Sequence, residues 1–154
     1  MNLFDLKDKT ALITGSTKGI GEAIARQFAK HGAKVVISSR KQDLCEQIKN
    51  DINTENPNSA ISVPCNINQK EQLENLVLET NKQLGDIDIL VCNAAVNPFF
   101  GSSLDIPDDA FDKILNANIK SNHWLCNLVL PQMIKKKDGV IIIISSVGGL
   151  KGLS

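Results

Sequence analysis

The sequence predicts an α/β fold: a doubly wound parallel sheet of the Rossmann type with helices on both faces. Short aliphatic runs alternate along the chain with longer segments whose apolar residues recur every three or four positions. This alternation is typical of buried strands followed by amphipathic helices. Because the strand segments are apolar without interruption, we expect both faces of the sheet to be covered. Right-handed crossovers then favour the strand order 3-2-1-4-5, ending after strand five.

The individual elements follow from the same periodicities. Strands are predicted at residues 10–14, 34–38, 60–64, 87–91 and 140–144. Helices are predicted at 19–30, 42–52, 70–83 and about 108–136, and Gly32 is expected to end the first of them. The stretch NTENPNS before strand three is expected to be a loop. The helix residues expected to face the sheet are Ile20, Ala23, Ile24 and Phe28, then Leu44 and Ile48, then Leu73, Leu76 and Val77.

Composition excludes several classes of protein. A chain of 154 residues predicts one domain, here residues 1–154. Seventeen basic residues balance seventeen acidic ones, so neither a nucleic-acid partner nor an anionic membrane is expected. The N-terminus is too polar for a signal peptide, and the longest aliphatic run, 140–144, is too short to span a bilayer. We therefore expect a cytoplasmic protein.

The cysteines predict no metal site and no disulfide. They lie far apart, without a CxxC pair, at Cys45, Cys65, Cys92 and Cys126. Free thiols acting as small core residues are the expected state in a reducing compartment.

Small and polar residues follow every predicted strand. The first strand runs into TGSTKGIG, residues 14–21. The later strands end in Ser38, Ser39 and Arg40; Cys65 and Asn66; Cys92, Asn93, Ala94 and Ala95; and Ser145 and Ser146. Because ligands of open parallel sheets bind beyond the carboxyl ends of the strands, this convergence predicts a ligand site at that edge.

The stretch TGSTKGIG predicts a phosphate-binding loop. Gly15 permits a tight turn, while Gly19 and Gly21 allow the backbone to approach a ligand closely. The N–H groups and dipole of the helix that starts there attract phosphate. The alternative is a glycine-rich turn without a ligand, but a strand before it and an amphipathic helix after it favour the binding loop.

The end of strand two favours NADP(H) over NAD. Enzymes that prefer NAD usually carry Asp or Glu there to accept hydrogen bonds from the ribose. This chain has Ser39 and Arg40 instead, and Lys18 lies in the first loop. Two cations beside the ribose suit a 2′-phosphate. The alternative is that both are ordinary surface charges.

Asn118 interrupts an otherwise apolar helix stripe. The stripe recurs in steps of four and three: Phe111, Leu115, Asn118, Asn122, Leu125 and Val129. We expect it to face the sheet, and a buried amide there needs hydrogen-bond partners. From periodicity alone, Asn118 reads as a helix-distorting or capping residue. Pro131 is expected to bend the helix, and Lys135, Lys136 and Lys137 are expected to lie solvated at its end.

Four motifs in order make the sequence closely similar to the classical short-chain dehydrogenase/reductase family. They are TGSTKGIG, NAA at 93–95, NANIKS around Asn118, and IISSVGG at the end of strand five. The resemblance runs from about Leu6 to the end of the chain. It implies a Rossmann fold and hydride transfer between a nicotinamide cofactor and a carbonyl or alcohol.

The resemblance also assigns roles to individual residues. Asn118 matches the catalytic asparagine, which reverses the interpretation from periodicity, and Ser146 matches the serine that donates a hydrogen bond to the substrate carbonyl. Asn66 stands where the family usually has Asp, and Ala95 where it usually has Gly. The implied cofactor-binding residues are Gly15, Ser16, Thr17, Lys18, Gly19, Ile20, Gly21, Ser39, Arg40, Asn66, Ile67, Asn93, Ala94 and Ala95.

The family's acid/base motif, YxxxK, is expected shortly beyond Ser146, where this chain ends, and the chain contains no tyrosine. A fragment of an NADP(H)-dependent oxidoreductase is the favoured interpretation. The alternative is a truncated, inactive module that binds nucleotide or pairs with subunits. The stretch VVISSRK resembles carbonyl and retinal reductases, with reduction of 3-oxoacyl thioesters as the second possibility. A full-length form is expected to be a homo-oligomer.

Overall fold

The computed structural model describes residues 4–150 and contains five parallel strands in one sheet. The strands are β1 (Thr10–Thr14), β2 (Lys34–Ser38), β3 (Ala60–Ser62), β4 (Ile89–Cys92) and β5 (Val140–Ile143). Their order across the sheet is β3-β2-β1-β4-β5, which confirms the predicted order. β1 lies at the centre, pairing with β2 on one side and with β4 on the other.

Helices connect the strands and cover both faces of the sheet. They are α1 (Gly19–Lys30), α2 (Gln42–Glu55), α3 (Lys70–Leu84), α4 (Asp108–Leu115) and α5 (Ser121–Lys136). One core cluster joins Leu12, Val36 and Leu90 of the strands to α3 and α5, and a second joins Ile13, Ile37 and Val91 to α1 and α2. Alternate residues of β1, β2 and β4 thus pack against opposite helix layers, whereas β5 at the edge of the sheet is largely exposed. No helix in the described part of the chain is long and apolar enough to cross a membrane.

Several boundaries differ from the predicted ones. α2 extends to Glu55, so the first residues of NTENPNS are helical. Asn53 then holds β3 in place, because its side chain donates to the carbonyl of Ala60 and accepts from that residue's N–H. β3 ends at Ser62, two residues early, and β4 begins at Ile89 rather than at residue 87.

The buried faces of two helices also differ from the prediction. In α1 the buried residues are Gly21, Ala25 and Ala29, while Ile20 is 61% exposed. In α2, Cys45 is buried in place of Leu44. The predicted face of α3 is confirmed: Leu73, Leu76 and Val77 are buried.

The long helical stretch is divided by a π-helical turn. This turn, Asn116–Lys120, joins α4 to α5. Pro131 lies within α5, which continues to Lys136. Lys136 is not simply solvated as predicted, because its ammonium group pairs with the buried carboxylate of Asp88 in the residue before β4.

Candidate functional site

The loop between β1 and α1 turns sharply at two glycines. Gly15 and Gly19 have φ values of +67° and +57°, a left-handed conformation that favours glycine. A Cβ on Gly15 would lie 3.0 Å from Asn93 Nδ2, so the loop packs directly on the segment after β4. Lys18 is extended and makes no side-chain cap of α1. The backbone N–H groups in the first turn of α1 are therefore left without a side-chain cap. They lie, with the positive end of the helix dipole, at the edge of the sheet.

Ser16 stabilises this loop from inside. Its side chain is fully buried. Its Oγ donates to the carbonyl of Ile13 at 2.8 Å and accepts from the backbone N–H of Ser38 at 2.8 Å. Ser16 was predicted to bind cofactor, but it does not line the cavity described below. Its bonds instead continue the pairing of β1 with β2 beyond the last strand residues.

Hydrogen bonds also join the end of β1 to the end of β4. Thr14 Oγ1 accepts from the backbone N–H groups of Asn93 and Ala94, at 3.0 and 3.1 Å. Asn93 Nδ2 donates in return to the carbonyls of Thr14 and Gly15, at 2.9 and 3.2 Å. These bonds fix the ends of β1 and β4 relative to each other. The side-chain N–H groups of Asn93 are used in bonds within the protein.

A cavity of about 350 Å³ lies at this edge of the sheet, in the range of small-molecule sites. It brings together most of the predicted cofactor-binding residues. Those that line it are Gly15, Thr17, Lys18, Ile20, Ser39, Arg40, Asn66, Ile67, Asn93, Ala94 and Ala95. Ser16, Gly19 and Gly21 do not. The lining also includes Ser38, Cys65, Asn68 and Val96, none of which was among the predicted cofactor-binding residues. Ser38 and Cys65 were nonetheless among the strand-end residues expected at this edge, whereas Asn68 and Val96 lie further along the loops and were not predicted.

The charge and polarity of the lining suit an anionic ligand with an apolar ring. Lys18 and Arg40 both line the cavity, and no carboxylate does. Neither side chain forms an ion pair within residues 4–150. Ile20, 61% exposed, provides an apolar surface in the same lining.

Two buried cysteines lie near the cavity, just beyond β3 and at the end of β4. Burial raises the pKa of Cys65, which lines the cavity, to about 12. Burial, together with the neighbouring Cys126, raises the pKa of Cys92 to about 12. Because the thiolate is the nucleophile, these raised pKa values argue against a nucleophilic role for either cysteine near neutral pH.

Asn118 lies in the π-helical turn and holds the segment that follows β4. Its Oδ1 accepts from the backbone N–H of Val96 at 2.8 Å, and its Nδ2 donates to the carbonyl of Val96 at 2.9 Å. Val96 in turn lines the cavity. Asn118 itself does not line it, so its visible contact with the site runs through Val96.

Ser146 lies just beyond β5 and is exposed. Its Oγ accepts from the backbone N–H of Gly148 at 3.1 Å, which caps a short 3₁₀ turn, Val147–Gly149. It does not line the cavity. Since β5 is parallel to the other strands, Ser146 nonetheless lies at the same edge of the sheet as the loop between β1 and α1.

Comparisons with known proteins agree with this arrangement. A family model described as short chain dehydrogenase matches residues 9–154. Over 142 residues the chain is 44% identical to a Bos taurus protein named Dehydrogenase/reductase SDR family member 4, covering 92% of this chain and 50% of that relative. A human relative named Dehydrogenase/reductase SDR family member 2, mitochondrial, is 41% identical over 142 residues, which are 92% of this chain and 50% of its own length. The chain thus spans about half the length of the curated relatives it matches.

A solved structure shows the same fold in an enzyme. The structure of a 7α-hydroxysteroid dehydrogenase complexed with NADH and 7-oxo glycochenodeoxycholic acid superimposes with a TM-score of 0.91 at 33% identity. The superposition covers 97% of this chain and 58% of that one. The sequence matches and this superposition lead to one assignment: the chain belongs to the classical short-chain dehydrogenase/reductase family.

Proposed function

We propose that residues 1–154 form one dinucleotide-binding domain of an NADP(H)-dependent oxidoreductase, which transfers hydride between the nicotinamide and a carbonyl or alcohol. Family membership supports the oxidoreductase class and a nicotinamide cofactor. The observation that carries the choice of NADP(H) is that Lys18 and Arg40 both line one cavity, whose lining contains no carboxylate.

The charges explain this choice. A 2′-phosphate adds negative charge and acceptor oxygens beside the ribose, and a guanidinium donates to such a group in bidentate geometry. Arg40 directly follows Ser39, at the end of β2, where an acid would instead accept from ribose hydroxyls. Because neither cation forms an ion pair within the described residues, a phosphate would gain both without breaking an existing pair.

The residues of this chain would bind and orient the reactants. The nicotinamide, when bound, supplies or accepts the hydride. Ser146 Oγ is exposed and would donate a hydrogen bond to the substrate carbonyl, while Asn118 fixes the segment at Val96. A proton donor is also required. In the family this is a tyrosine, and these 154 residues contain none. We therefore expect cofactor binding from this chain, and turnover from a polypeptide that also supplies the tyrosine.

We propose a substrate of the kind that carbonyl and retinal reductases reduce, with a 3-oxoacyl thioester as the second possibility. An inactive nucleotide-binding or subunit-pairing module is the alternative function, motivated by the missing tyrosine.

We also propose self-association for a full-length form, because Phe111, Leu115 and Ile119 are between 43% and 64% exposed on α4 and the π-helical turn. A cytoplasmic location fits the four free thiols, although one relative is named mitochondrial.

Titration of the chain with NADPH and with NADH, followed by nicotinamide fluorescence, tests the cofactor assignment. We expect a Kd for NADPH of about 1 µM, equivalent to about −8 kcal/mol, and weaker binding of NADH. Arg40→Gln should weaken NADPH binding about tenfold, because a charge-assisted bond to phosphate is lost, and should leave NADH binding nearly unchanged.

Lys41→Gln is the matched control, because Lys41 is the exposed neighbour of Arg40 and does not line the cavity. It should leave the preference for NADPH intact. Equal and weak binding of both dinucleotides by the native chain, or equal effects of the two substitutions, would contradict the assignment.

A further inference from the structure

Ser16 is fully buried and joins two segments of the cavity lining without lining the cavity itself. Its backbone N–H donates to the carbonyl of Ser38 at 3.1 Å. Its Oγ accepts from the backbone N–H of Ser38 and donates to the carbonyl of Ile13, both at 2.8 Å. Both backbone groups of Ser38 are therefore bonded to Ser16, and the hydroxyl connects a donor in β2 to an acceptor in β1.

Each of the two serines in this contact precedes a cation of the cavity by two positions. Lys18 follows Ser16, and Arg40 follows Ser38. Within the described part of the chain, every hydrogen bond between residues 15–18 and 38–40 comes from Ser16. Its contact with Ser38 therefore sets the spacing of the two backbone segments from which the cations extend.

The segment after β2 is also held from its other side, independently of Ser16. The carbonyl of Ser39 accepts from the backbone N–H of Cys65 at 2.9 Å. That bond ties the segment to the chain after β3 and does not involve the loop that carries Lys18. Removal of the Ser16 hydroxyl would leave a buried N–H and a buried carbonyl without this partner, a cost that the backbone relieves by moving. The expected response is a shift of the loop relative to residues 38–40.

We propose that the Ser16 hydroxyl is a positioning group for cofactor selection: it holds Lys18 and Arg40 at the spacing that a 2′-phosphate requires, without touching the cofactor. The inference rests on the proposed function, in that it takes NADP(H) to be the cofactor. A phosphate held by two cations at once depends on their spacing, because charge-assisted hydrogen bonds weaken when distance and direction are lost. A dinucleotide without the 2′-phosphate has no such requirement.

Titration of Ser16→Ala with NADPH and with NADH, followed by nicotinamide fluorescence, tests this role. The substitution removes the hydroxyl and changes no charge, so both cations remain. The ratio of the NADH dissociation constant to the NADPH constant should fall about fivefold, less than the fall of about tenfold expected for Arg40→Gln. Because both titrations use the same preparation, the ratio cancels any general loss of folded chain.

A second comparison shows whether the effect depends on Arg40. In the Arg40→Gln background, Ser16→Ala should change the ratio by less than about twofold, because the cation that the hydroxyl positions has been removed. If Ser16→Ala does not fold, Ser16→Cys takes its place in both comparisons. Its thiol is a weaker donor and acceptor than the hydroxyl, so the ratio should change in the same direction.

Ser121→Ala is the matched control. Ser121 is also fully buried, its Oγ donates to the carbonyl of Ala117, and it does not line the cavity. Its removal should leave the ratio unchanged. An unchanged ratio in the Ser16 variant beside a lowered ratio in Arg40→Gln would overturn the inference and leave the proposed function standing. An equal change in Ser121→Ala, or a full effect of the Ser16 variant in the absence of Arg40, would do the same. Equal binding of both dinucleotides by the native chain would overturn both.

Discussion

Gly21 sets the spacing between α1 and the loop that joins β1 to α1. A Cβ at this position would collide with the carbonyl oxygen of Gly15 and would lie 2.5 Å from Asn93 Nδ2. Glycine is therefore required by close backbone approach, whereas at Gly15 and Gly19 the positive φ is the requirement. The same contact explains why Gly21 is buried and does not line the cavity.

Gly21→Ala should lower the free energy of unfolding by about 3 kcal/mol, because the backbone rather than a flexible side chain must move. Nucleotide binding should weaken as well, since Gly15 would be displaced. Urea unfolding of the variant measures the first effect and NADPH titration the second. Gly149→Ala is the control, because a Cβ there meets nothing within 4 Å. Equal stability of the two variants would show that the collision at Gly21 is relieved at no cost.

The residues of the loop show which features of the site a sequence can predict. Its position followed from the rule that ligands bind at the carboxyl ends of parallel strands, and the cavity lies there. The directions in which the side chains of Ser16 and Ile20 point could not be predicted, because they depend on the path of the backbone. α1 approaches the sheet closely because its buried residues, Gly21, Ala25 and Ala29, are small. Periodicity predicted instead that the larger Ile20 faces the sheet, whereas Ile20 lines the cavity.

At the scale of elements, a π-helical turn divides the long helical stretch, and the buried residues all lie in the turn and in α5, with none in α4. The turn holds an extra residue, so it rotates α4 relative to α5. In the turn and α5 the buried line is Ala117, Ser121, Leu125, Val129 and Met133. The predicted stripe was correct for Leu125 and Val129 and wrong for Phe111 and Leu115, which are 50% and 43% exposed. A uniform helical period cannot anticipate such a rotation.

Asn118→Ala should release the segment after β4 from the helix. Both the N–H and the carbonyl of Val96 would lose their partner, at a cost of about 2 kcal/mol in the free energy of unfolding. Amide hydrogen exchange at Val96 should become faster, because its N–H would no longer be bonded to the helix.

Asn122→Ala provides the comparison for this prediction. Asn122 Nδ2 donates to the carbonyl of Asn118, four residues earlier in the same helical stretch, so it connects no second element. Its removal should cost about 1 kcal/mol or less and leave exchange at Val96 unchanged. Similar exchange rates at Val96 in both variants would contradict the role given to Asn118.

At the scale of the whole molecule, the strand order was predictable and the polar contacts that secure it were not. Crossover handedness and the apolar strands are local properties, and they sufficed for the order of β1 to β5. Asp88 is different: it is 5% exposed and accepts from the backbone N–H of Thr10 at 2.8 Å while pairing with Lys136. Nothing in the sequence near Asp88 indicates partners so far away along the chain.

Lys9 and Asp138 form a second contact across the molecule, 2.7 Å long, at the same end of the sheet. The hydrogen bond from Lys9, helped by its charge, lowers the pKa of Asp138 below its ordinary value of 3.8. The hydrogen bond to Asp138 raises the pKa of Lys9 above 10.5. The contribution of the carboxylate is complete above pH 3.8 and is lost as the pH falls through the lowered pKa. The contribution of the ammonium group is complete below pH 10.5 and is lost as the pH rises through the raised one.

Asp138→Asn should therefore flatten the decline of unfolding free energy as the pH falls below about 4, because one carboxylate with different pKa values in the folded and unfolded states is removed. Urea unfolding at a series of pH values measures this slope. Lys9→Gln should flatten the same acid limb, since it removes the partner that lowers the pKa of Asp138, and the double variant should match the single ones because the two groups act as one pair. An acid limb as steep in both single variants as in the native chain would contradict the coupling. It would leave the end of the sheet secured by Asp88 and Lys136 instead.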